Sequence, residues 1–357
     1  MRSRAAPAAS SRTSSASCLL RRPRKAAPNP PLNRIRHPDM PHPGIVQGMA
    51  EKLLSIIIPT RNQARTLEAL LHALARLRPV PGWRTEIIAG YQESADDTLN
   101  VLHRHGVHVV HSTTIGAGPA RNAAAAAARG ELLWFIDSDA RPLDTDFLIR
   151  LIAAVRRRRR FGVIGGPIVL PPEWHWHPIA IADHFACWFN WSECRPSGPT
   201  RLFQPTVSIV MPRGVFTRVG GFDESVRVMQ DFEIQTRILR AGYPIYFERS
   251  LPVAHAPRSS LLRTCRHSWY WGGPFRDIYL RTVRTYPLRH PVDSPLFAAN
   301  VPGLFVRRMR LVLRTAWRVS RWQTCYCLPF LAVTILAWTL GVAFGEGRPG
   351  PHVVSPV

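Results

Sequence analysis

The chain has 357 residues and carries 47 Lys and Arg side chains against 23 Asp and Glu, so its formal net charge is +24. Hydrophobic residues make up 46% of it, which allows one or two domains with sizeable cores and excludes a wholly disordered, collagen-like or coiled-coil protein. Its six cysteines show no paired C-x-x-C spacing and are too few for a disulfide framework at this length, which fits a reducing compartment.

Residues 1–50 contain nine basic side chains and a single acid, Asp39, in a background of Ala, Ser and Pro. This composition predicts a disordered basic leader. The segment lacks the continuous apolar core of a secretory signal. A transit peptide, or a translation start at Met49, is the alternative.

From residue 53 to about 248, short apolar runs alternate with helix-like stretches. The runs predict strands at 53–59, 85–90, 107–112, 132–137, 161–169 and 206–212. Helices are predicted between them at 64–78, 95–105, 119–129 and 144–159. This alternation indicates an α/β fold with a mostly parallel sheet, in which ligands bind at the carboxyl ends of the strands.

Polar residues stand at those ends. The first strand closes with Pro59, Thr60, Arg61 and Asn62, whose donors could meet a nucleotide, although a polar turn after a strand is usually only a turn. The fourth ends in Asp137 and Asp139. Two carboxylates at a dry strand end are costly unless a cation neutralises them, and their hard oxygens suit Mg²⁺ or Mn²⁺ bridging a diphosphate.

Two further segments carry candidate chemistry. A glycine-rich turn at 116–118 leads into a helix with Arg121 and Asn122 near its start, which would suit an anionic phosphate. Downstream, Asp231 opens an amphipathic helix. A carboxylate there is often just a favourable dipole partner, but it could act as a general base.

The order of these motifs resembles that of the family 2 glycosyltransferases, inverting enzymes of the GT-A fold that use nucleotide-diphosphate sugars. The resemblance covers about residues 53–250 and rests on SIIIPTRN, EIIAGYQESADDT, GPARNAAAAAARGELLWFIDSDA and VGGFDESVRVMQDFEIQTRILRAGY. It implies a GT-A domain at 51–255, a Rossmann-like, mostly parallel sheet flanked by helices.

The resemblance also implies roles for single residues. Asp137 and Asp139 would belong to the metal and diphosphate motif, with Asp139 preferred as the direct ligand of Mg²⁺ or Mn²⁺. Asp231 would fill the catalytic-base position, since Gln230-Asp231 stands where the family usually has Glu-Asp. His255 would complete the metal or phosphate site, and a packing histidine is the alternative.

One departure concerns the end of the second strand, where family members usually place an aspartate pair that helps hold the nucleotide base. This chain has Tyr91 and Gln92 instead, either of which could stack on or hydrogen-bond a base. The nucleotide-binding set is therefore predicted to be Pro59, Thr60, Arg61, Asn62, Gln92, Ser94, Arg121, Asn122 and Asp137.

The C-terminal part is basic and aromatic. Thirteen arginines lie between Arg258 and Arg321, and residues 256–321 are predicted to form a membrane-proximal helical region. Within it, one helix presents Arg307, Arg310, Arg314, Arg318 and Arg321 opposite Val306, Met309, Val312, Leu313, Ala316 and Trp317. The aromatic segment 174–191 is interpreted as an acceptor-binding or membrane-facing loop. The aromatic and basic segment 263–273 could close over a sugar-diphosphate or rest on the membrane surface.

Residues 322–345 contain no charged side chain, and they are predicted to be a transmembrane helix. A short tail at 346–357 follows it. An apolar helix docked on the globular domain is the alternative. Arginines precede the span, so the positive-inside bias places the catalytic domain on the cytoplasmic side of the cell membrane.

Together these features predict inverting transfer of a sugar from a nucleotide-diphosphate sugar to an acceptor hydroxyl, on a glycan or lipid-linked envelope acceptor, with a divalent metal. A nucleotidyltransferase of related fold and a basic nucleic-acid-binding protein are the alternatives. Neither is favoured: PTRNQARTLE lacks a lysine-containing phosphate loop, and the positive charge concentrates outside the α/β region, so no nucleic-acid partner is expected.

Overall fold

The structure, a computed structural model, describes residues 51–283 and 301–345. The predicted leader at 1–50 and tail at 346–357 lie outside the described residues, as does the segment 284–300 of the basic region. Two sheets and ten α-helices make up the described part.

The larger sheet has eight strands in the order β3-β2-β1-β4-β9-β6-β10-β8, and the smaller has three in the order β5-β11-β7. In the larger sheet β9 and β8 run antiparallel to their neighbours, and the other pairings are parallel. The strands are β1 Lys52–Thr60, β2 Trp83–Tyr91, β3 His108–His111, β4 Leu132–Ile136, β5 Ala140–Pro142, β6 Val163–Gly165, β7 Ile168–Val169, β8 Gly198–Thr200, β9 Ser208–Pro212, β10 Ile245–Phe247 and β11 Val253–His255.

Helices flank the larger sheet, which confirms the predicted α/β fold with a mostly parallel sheet. The α-helices are α1 Ala64–Ala75, α2 Thr98–Arg104, α3 Ala117–Ala127, α4 Phe147–Arg156, α5 Pro178–Trp188, α6 Arg213–Arg218, α7 Gln230–Arg240, α8 Leu261–Val283, α9 Val301–Val319 and α10 Arg321–Phe344. The four helices predicted between strands correspond to α1 to α4.

The central strand β1 is apolar on both faces because helices cover both sides of the sheet. Ile56 and Ile58 belong to one core cluster, while Ile57 belongs to a second cluster with Phe135 of β4. This burial on both faces explains why the strand is a continuous apolar run rather than an alternating one.

The prediction of one strand at 161–169 is wrong in detail. The structure has two short strands there, β6 in the larger sheet and β7 in the smaller. Gly166 and Pro167 separate them: a Cβ at Gly166 would lie 2.2 Å from the carbonyl oxygen of Leu251, and proline has no N–H to donate to a ladder. The break lets β7 pair with β11 and thereby brings β11 to the end of β4.

Helices α5, α8, α9 and α10 form a separate helical layer. Its core contains Ile181 and Phe185 of α5, Val312 of α9, and Leu331 and Ile335 of α10. Among the described residues, α10 is the one helix long and apolar enough to cross a membrane, and 44% of its most apolar window is buried against the protein. The transmembrane assignment therefore stays a prediction.

The structure confirms only part of the predicted amphipathic pattern of α9. The predicted polar face is exposed as expected, from Arg307 to Arg318. Val306 and Trp317, placed on the apolar face, are in fact 44% and 48% exposed. The buried face instead consists of residues four apart, Leu304, Arg308, Val312 and Ala316, so it includes an arginine.

Candidate active site

The parallel register aligns the carboxyl ends of four strands. Thr60 at the end of β1 pairs with Tyr91 of β2, which pairs with His111 of β3, and Phe135 near the end of β4 pairs with Ile57. The residues that follow these strands therefore meet at one edge of the sheet. The Oγ1 of Thr60 is buried there and has no hydrogen-bond partner among the described residues.

Asn62 and Ser94 join the turns after β1 and β2. The Asn62 backbone N–H donates to Oγ of Ser94 over 3.0 Å, and the Asn62 side-chain oxygen accepts from the Ala95 N–H over 2.6 Å. Asn62 has a φ of 53°, a left-handed conformation that asparagine tolerates well. Both residues thus shape the predicted donor site, and Arg61 lies beside them, with its Nε 3.4 Å from the carbonyl oxygen of Glu93.

The polar atoms of Gln92 and Tyr91 are used within the protein. The buried Gln92 amide donates to the carbonyl oxygens of Thr114 and Gly116 over 2.6 and 2.9 Å and accepts from the Gly116 N–H over 3.3 Å. The Tyr91 hydroxyl accepts from the Ser94 N–H over 3.2 Å. Gln92 therefore holds the turn before α3, and its contact with a nucleotide base stays a prediction.

Arg121 connects three segments at the site. Its guanidinium is 5% exposed and donates from Nη2 to Oδ1 of Asp137 over 2.6 Å. Its Nη1 donates to Oε1 of Gln230 over 3.1 Å, and its Nε has no partner among the described residues. The start of α3, the end of β4 and the start of α7 are thus held together by one cation.

Asn122, predicted to help bind phosphate, is occupied by the turn that precedes α7. Its side-chain oxygen accepts from the Phe222 N–H over 2.9 Å, and its amide nitrogen donates to the Phe222 carbonyl oxygen and to Glu224 over 2.8 and 2.9 Å. This amide clamps the Gly-Gly-Phe-Asp turn to α3. Its contact with a ligand remains a prediction.

Asp139 and His255 are brought together by two antiparallel strands. His255 of β11 pairs with Ala140 of β5, and the Ala256 N–H donates to the Asp139 carbonyl oxygen over 2.9 Å. The Nε2 of His255 lies 3.5 Å from Oδ1 of Asp139, and its buried Nδ1 has no partner among the described residues. A carboxylate oxygen and an imidazole nitrogen at this separation fit two ligands of one divalent cation.

Asp231 lies in the first turn of α7, shortly after a residue with an unusual backbone conformation. Met229 has a φ of 64°, a left-handed conformation that is rare for a bulky side chain and is concentrated at functional sites. The Asp231 carboxylate accepts from the Phe232 N–H over 2.9 Å. The pKa of Asp231 is raised to about 6, chiefly by burial and also by the Asp137 charge, while the Phe232 N–H and Arg121 act to lower it.

The structure thus brings the three predicted acids to one region. Asp137 is linked to the neighbour of Asp231 through Arg121, and its charge is close enough to influence the Asp231 pKa. On the other side, the His255 ring packs against Trp188 at 5.0 Å, and Trp188 lines a cavity together with Asp231.

That cavity, of about 140 Å³, contains Arg308, which the sequence patterns did not single out. It lies between Asp231 and the helical layer, and Trp188, Trp271, Trp338, His267 and Arg308 are among its lining residues. Trp188 comes from the segment 174–191, predicted to bind the acceptor or face the membrane, and Trp271 from the segment 263–273, predicted to close over a sugar-diphosphate or rest on the membrane. A signal for Arg308 existed: it falls four residues from both Leu304 and Val312, on the apolar side of α9.

A second group of potential metal ligands lies elsewhere. Glu68 and His72 of α1 and His105 after α2 place one ligand atom each within 4.8 Å of one another. Arg104 competes for this carboxylate, with Nη2 3.4 Å from Oε1 of Glu68. The group contains none of the predicted metal ligands.

Comparisons with known proteins indicate a glycosyltransferase. The sequence model described as "Glycosyl transferase family 2" matches residues 55–224. The pre-mycofactocin glycosyltransferase of Mycobacterium tuberculosis is 26% identical over 258 residues, which cover 69% of this chain and 52% of that protein. The O-antigen biosynthesis protein RfbC of Myxococcus xanthus is 23% identical over 312 residues, covering 78% and 24%. The chain thus spans about half the length of the first relative and a quarter of the second.

Among solved structures, the mannosyltransferase PcManGT from Pyrobaculum calidifontis, determined in complex with GDP-Man and Mn²⁺, aligns with a TM-score of 0.55. The alignment covers 82% of this chain and 87% of that one at 18% identity. At this identity the likeness shows the fold, which is GT-A.

Proposed function

Residues 55–224 are a family 2 glycosyltransferase domain, and from this premise we propose that the chain transfers a sugar, with inversion, from a nucleotide-diphosphate sugar to an acceptor hydroxyl. The observation that carries the proposal is the position of Asp231. Asp231 lines a cavity, and the charges of Arg121 and Asp137 act on its carboxylate.

Asp231 is suited to act as the general base. A pKa of about 6 leaves the carboxylate ionised at neutral pH while making it a better proton acceptor than an ordinary aspartate. In the proposed step Asp231 takes the proton of the acceptor hydroxyl, whose oxygen attacks the anomeric carbon from the face opposite the nucleotide. The bond to the diphosphate breaks as the new glycosidic bond forms, so the configuration inverts.

Asp137, Asp139 and His255 are proposed to hold Mg²⁺ or Mn²⁺ beside the donor diphosphate. The donor set fits: Asp139 and His255 present an oxygen and a nitrogen 3.5 Å apart, at the end of the strand that carries Asp137. A divalent ion bound there would neutralise charge developing on the leaving diphosphate. Since Arg121 already pairs with Asp137, Asp139 is the acid freer to ligate the ion directly.

The nucleotide is proposed to lie along the ends of β1 and β2. Pro59, Thr60, Arg61 and Asn62 form one wall, and Ser94 and Gln92 shape the other through their hydrogen bonds. The buried Thr60 hydroxyl supports this placement because a polar group without a partner is costly unless a ligand satisfies it.

We also propose that α10 associates with the cell membrane and keeps the catalytic domain on the cytoplasmic side. The exposed face of α10 is apolar, with Leu328, Val333 and Leu336 each more than 40% exposed. Near its start, the Trp176 and Trp322 rings lie 4.6 Å apart, an aromatic cluster of the kind found at membrane interfaces. Such a location favours a lipid-linked or envelope glycan acceptor.

The test is donor turnover without a known acceptor. The full chain is incubated with a panel of nucleotide-diphosphate sugars and Mn²⁺, and release of the nucleoside diphosphate is measured. We expect one donor to be hydrolysed well above the rest, with the activity lost in Asp231→Asn and on chelation of the metal. If no nucleotide sugar is hydrolysed or bound, the proposal is wrong.

A further inference from the structure

Among the described residues, no carboxylate pairs with the buried cation of Arg308. Its side chain is on the buried face of α9 and the residue is 8% exposed. Its Nη2 donates to the Ala186 carbonyl oxygen over 2.9 Å, while its Nε is buried and has no partner among the described residues. Helix α5, which contains Ala186, also carries the carboxylate of Asp183. That carboxylate already accepts from the Arg258 N–H over 3.0 Å and lies 3.5 Å from the Arg258 guanidinium.

The groups that the described part of the chain places around Arg308 do not supply a negative charge. Its guanidinium lies 3.6 Å from the centre of the Trp338 ring and 5.5 Å from that of Phe189. Burial raises the pKa of the Cys187 thiol to about 12, so this neighbour is neutral. Burial lowers the pKa of Arg308 to about 10, which still leaves it protonated at neutral pH. A buried charge of this kind is unfavourable unless it is paired.

Arg308 and Asp231 line the same cavity, and the remaining walls are mainly aromatic. Trp188, Trp271 and Trp338 supply flat apolar surfaces, and the Nδ1 of His267 is a second buried polar atom without a partner among the described residues. The cavity therefore offers one cation, one proton acceptor and an apolar interior. Neither Arg121 nor Asp137 is among its lining residues.

We propose that this cavity is the acceptor subsite and that it takes an anionic amphiphile, whose phosphate or carboxylate pairs with Arg308 while its apolar part lies against the tryptophans. The acceptor hydroxyl then faces Asp231. Naming the ligand as the acceptor rests on the proposed glycosyl transfer, whereas the binding of an anionic amphiphile does not.

The test uses three probes of equal chain length below their micelle concentrations: decyl phosphate, decanoate and 1-decanol. Titration calorimetry on the full chain measures their dissociation constants. Because a charge-assisted hydrogen bond to a buried guanidinium is worth about 1.5–3 kcal/mol, we expect an anionic probe to bind about ten- to hundredfold more tightly than decanol. The stronger of decyl phosphate and decanoate identifies the anionic group.

Variants locate the binding. Arg308→Met should remove the preference for the anionic probe and leave decanol affinity unchanged within about twofold. Arg310→Met, on the exposed face of the same helix, is the matched control and should retain the preference. Arg308→Lys keeps the charge and should retain part of it, which also covers the case in which the methionine variant fails to fold.

Three outcomes would overturn the proposal: equal binding of decanol and both anions to the unmodified chain, an unchanged preference in Arg308→Met, or an equal loss in Arg310→Met. The last would assign the anion to the exposed basic face. Failure of donor hydrolysis with the preference intact would instead reject glycosyl transfer and leave the anion site standing. The two hypotheses therefore fail separately.

Discussion

Arg121 and Asp137 form a nearly buried ion pair in which Nη2 lies 2.6 Å from Oδ1, and the side chains are 5% and 24% exposed. The same guanidinium holds Gln230, the residue before Asp231. One side chain, Arg121, therefore positions both Asp137 of the proposed metal site and the start of α7, which carries the proposed base Asp231. Disturbing Arg121 should affect both stability and catalysis.

Arg121→Met should lower the free energy of unfolding by roughly 3 kcal/mol, the lower end of the range for a broken buried pair, because part of Asp137 remains hydrated. Urea denaturation measures the change. Arg78→Met is the control: Arg78 pairs with Asp146 at 2.8 Å with both side chains largely exposed, and its loss should cost under about 1 kcal/mol. Equal effects in the two variants would contradict the structural role of Arg121.

Turnover should depend on the ionisation of Asp231. Because the base must be deprotonated and its pKa is about 6, kcat should fall about tenfold per pH unit below that value. Asp231→Asn should lower kcat by about 10²- to 10⁴-fold and remove the acidic limb, while donor affinity by calorimetry stays unchanged. An acidic limb that persists in Asp231→Asn would assign it to another group.

Asp231 should also affect stability in the opposite sense to an ordinary carboxylate. Its pKa is higher in the folded chain than in the unfolded chain, so between about pH 4 and 6 the folded state binds more protons. Its contribution to the unfolding free energy therefore decreases as pH rises through this window. Asp231→Asn should become more stable relative to the unmodified chain from pH 4 to 7, as measured by urea denaturation at each pH.

Metal binding should require Asp139 and His255. Asp139→Asn and His255→Ala should each weaken Mn²⁺ binding by about tenfold or more. Binding is measured from the decrease of the free Mn²⁺ signal in electron paramagnetic resonance. His72→Ala changes the separate Glu68–His72–His105 group. It should leave the Mn²⁺ concentration required for donor turnover unchanged. If His72→Ala abolishes that dependence and His255→Ala does not, the metal has been placed wrongly.

Glu248 should protect the fold against acid. Burial raises its pKa, but hydrogen bonds from Arg158, Ser250, Arg157 and Ser197 outweigh this and bring the pKa down to about 2. Its contribution is present above about pH 4.5 and is lost as the pH falls towards 2, because the unfolded chain then binds the proton more readily.

The corresponding variant is Glu248→Gln, which should destabilise the chain at pH 6 and progressively less at lower pH in denaturation curves. Glu131→Gln is the control, since the Glu131–Lys52 pair at 3.5 Å is half exposed and should be worth under about 1 kcal/mol. A Glu248→Gln effect that does not vary with pH would show that the hydrogen bonds are not selective for the carboxylate.

Membrane association should depend on the exposed face of α10. Leu336→Glu introduces a charge on this face without touching the buried side, where Ile335 packs. It should reduce flotation of the full chain with phosphatidylglycerol-containing vesicles, whereas Ile115→Glu, at an exposed apolar residue of the catalytic domain, should not. Equal flotation of the two variants would remove α10 from the membrane contact.

Sequence patterns predicted the parts of the molecule that are local. Continuous apolar runs identified β1 and β4 because their burial on both faces leaves a mark in consecutive residues. Asp137 and Asp139 come directly after such a strand. They could therefore be placed at the edge of the sheet where the parallel strands end and ligands bind. The comparison of several motifs in order then indicated the family.

Only the tertiary structure decided the partners of these residues. The amides of Asn122 and Gln92 are occupied by residues 100 and 24 positions away along the chain, and Arg308 by one 122 positions away. Such contacts depend on how segments far apart in the chain pack against one another, and this packing leaves no short-range period in the sequence. The sequence by itself therefore determined the sheet and its acids, while the fold determined that one buried arginine shares a cavity with Asp231.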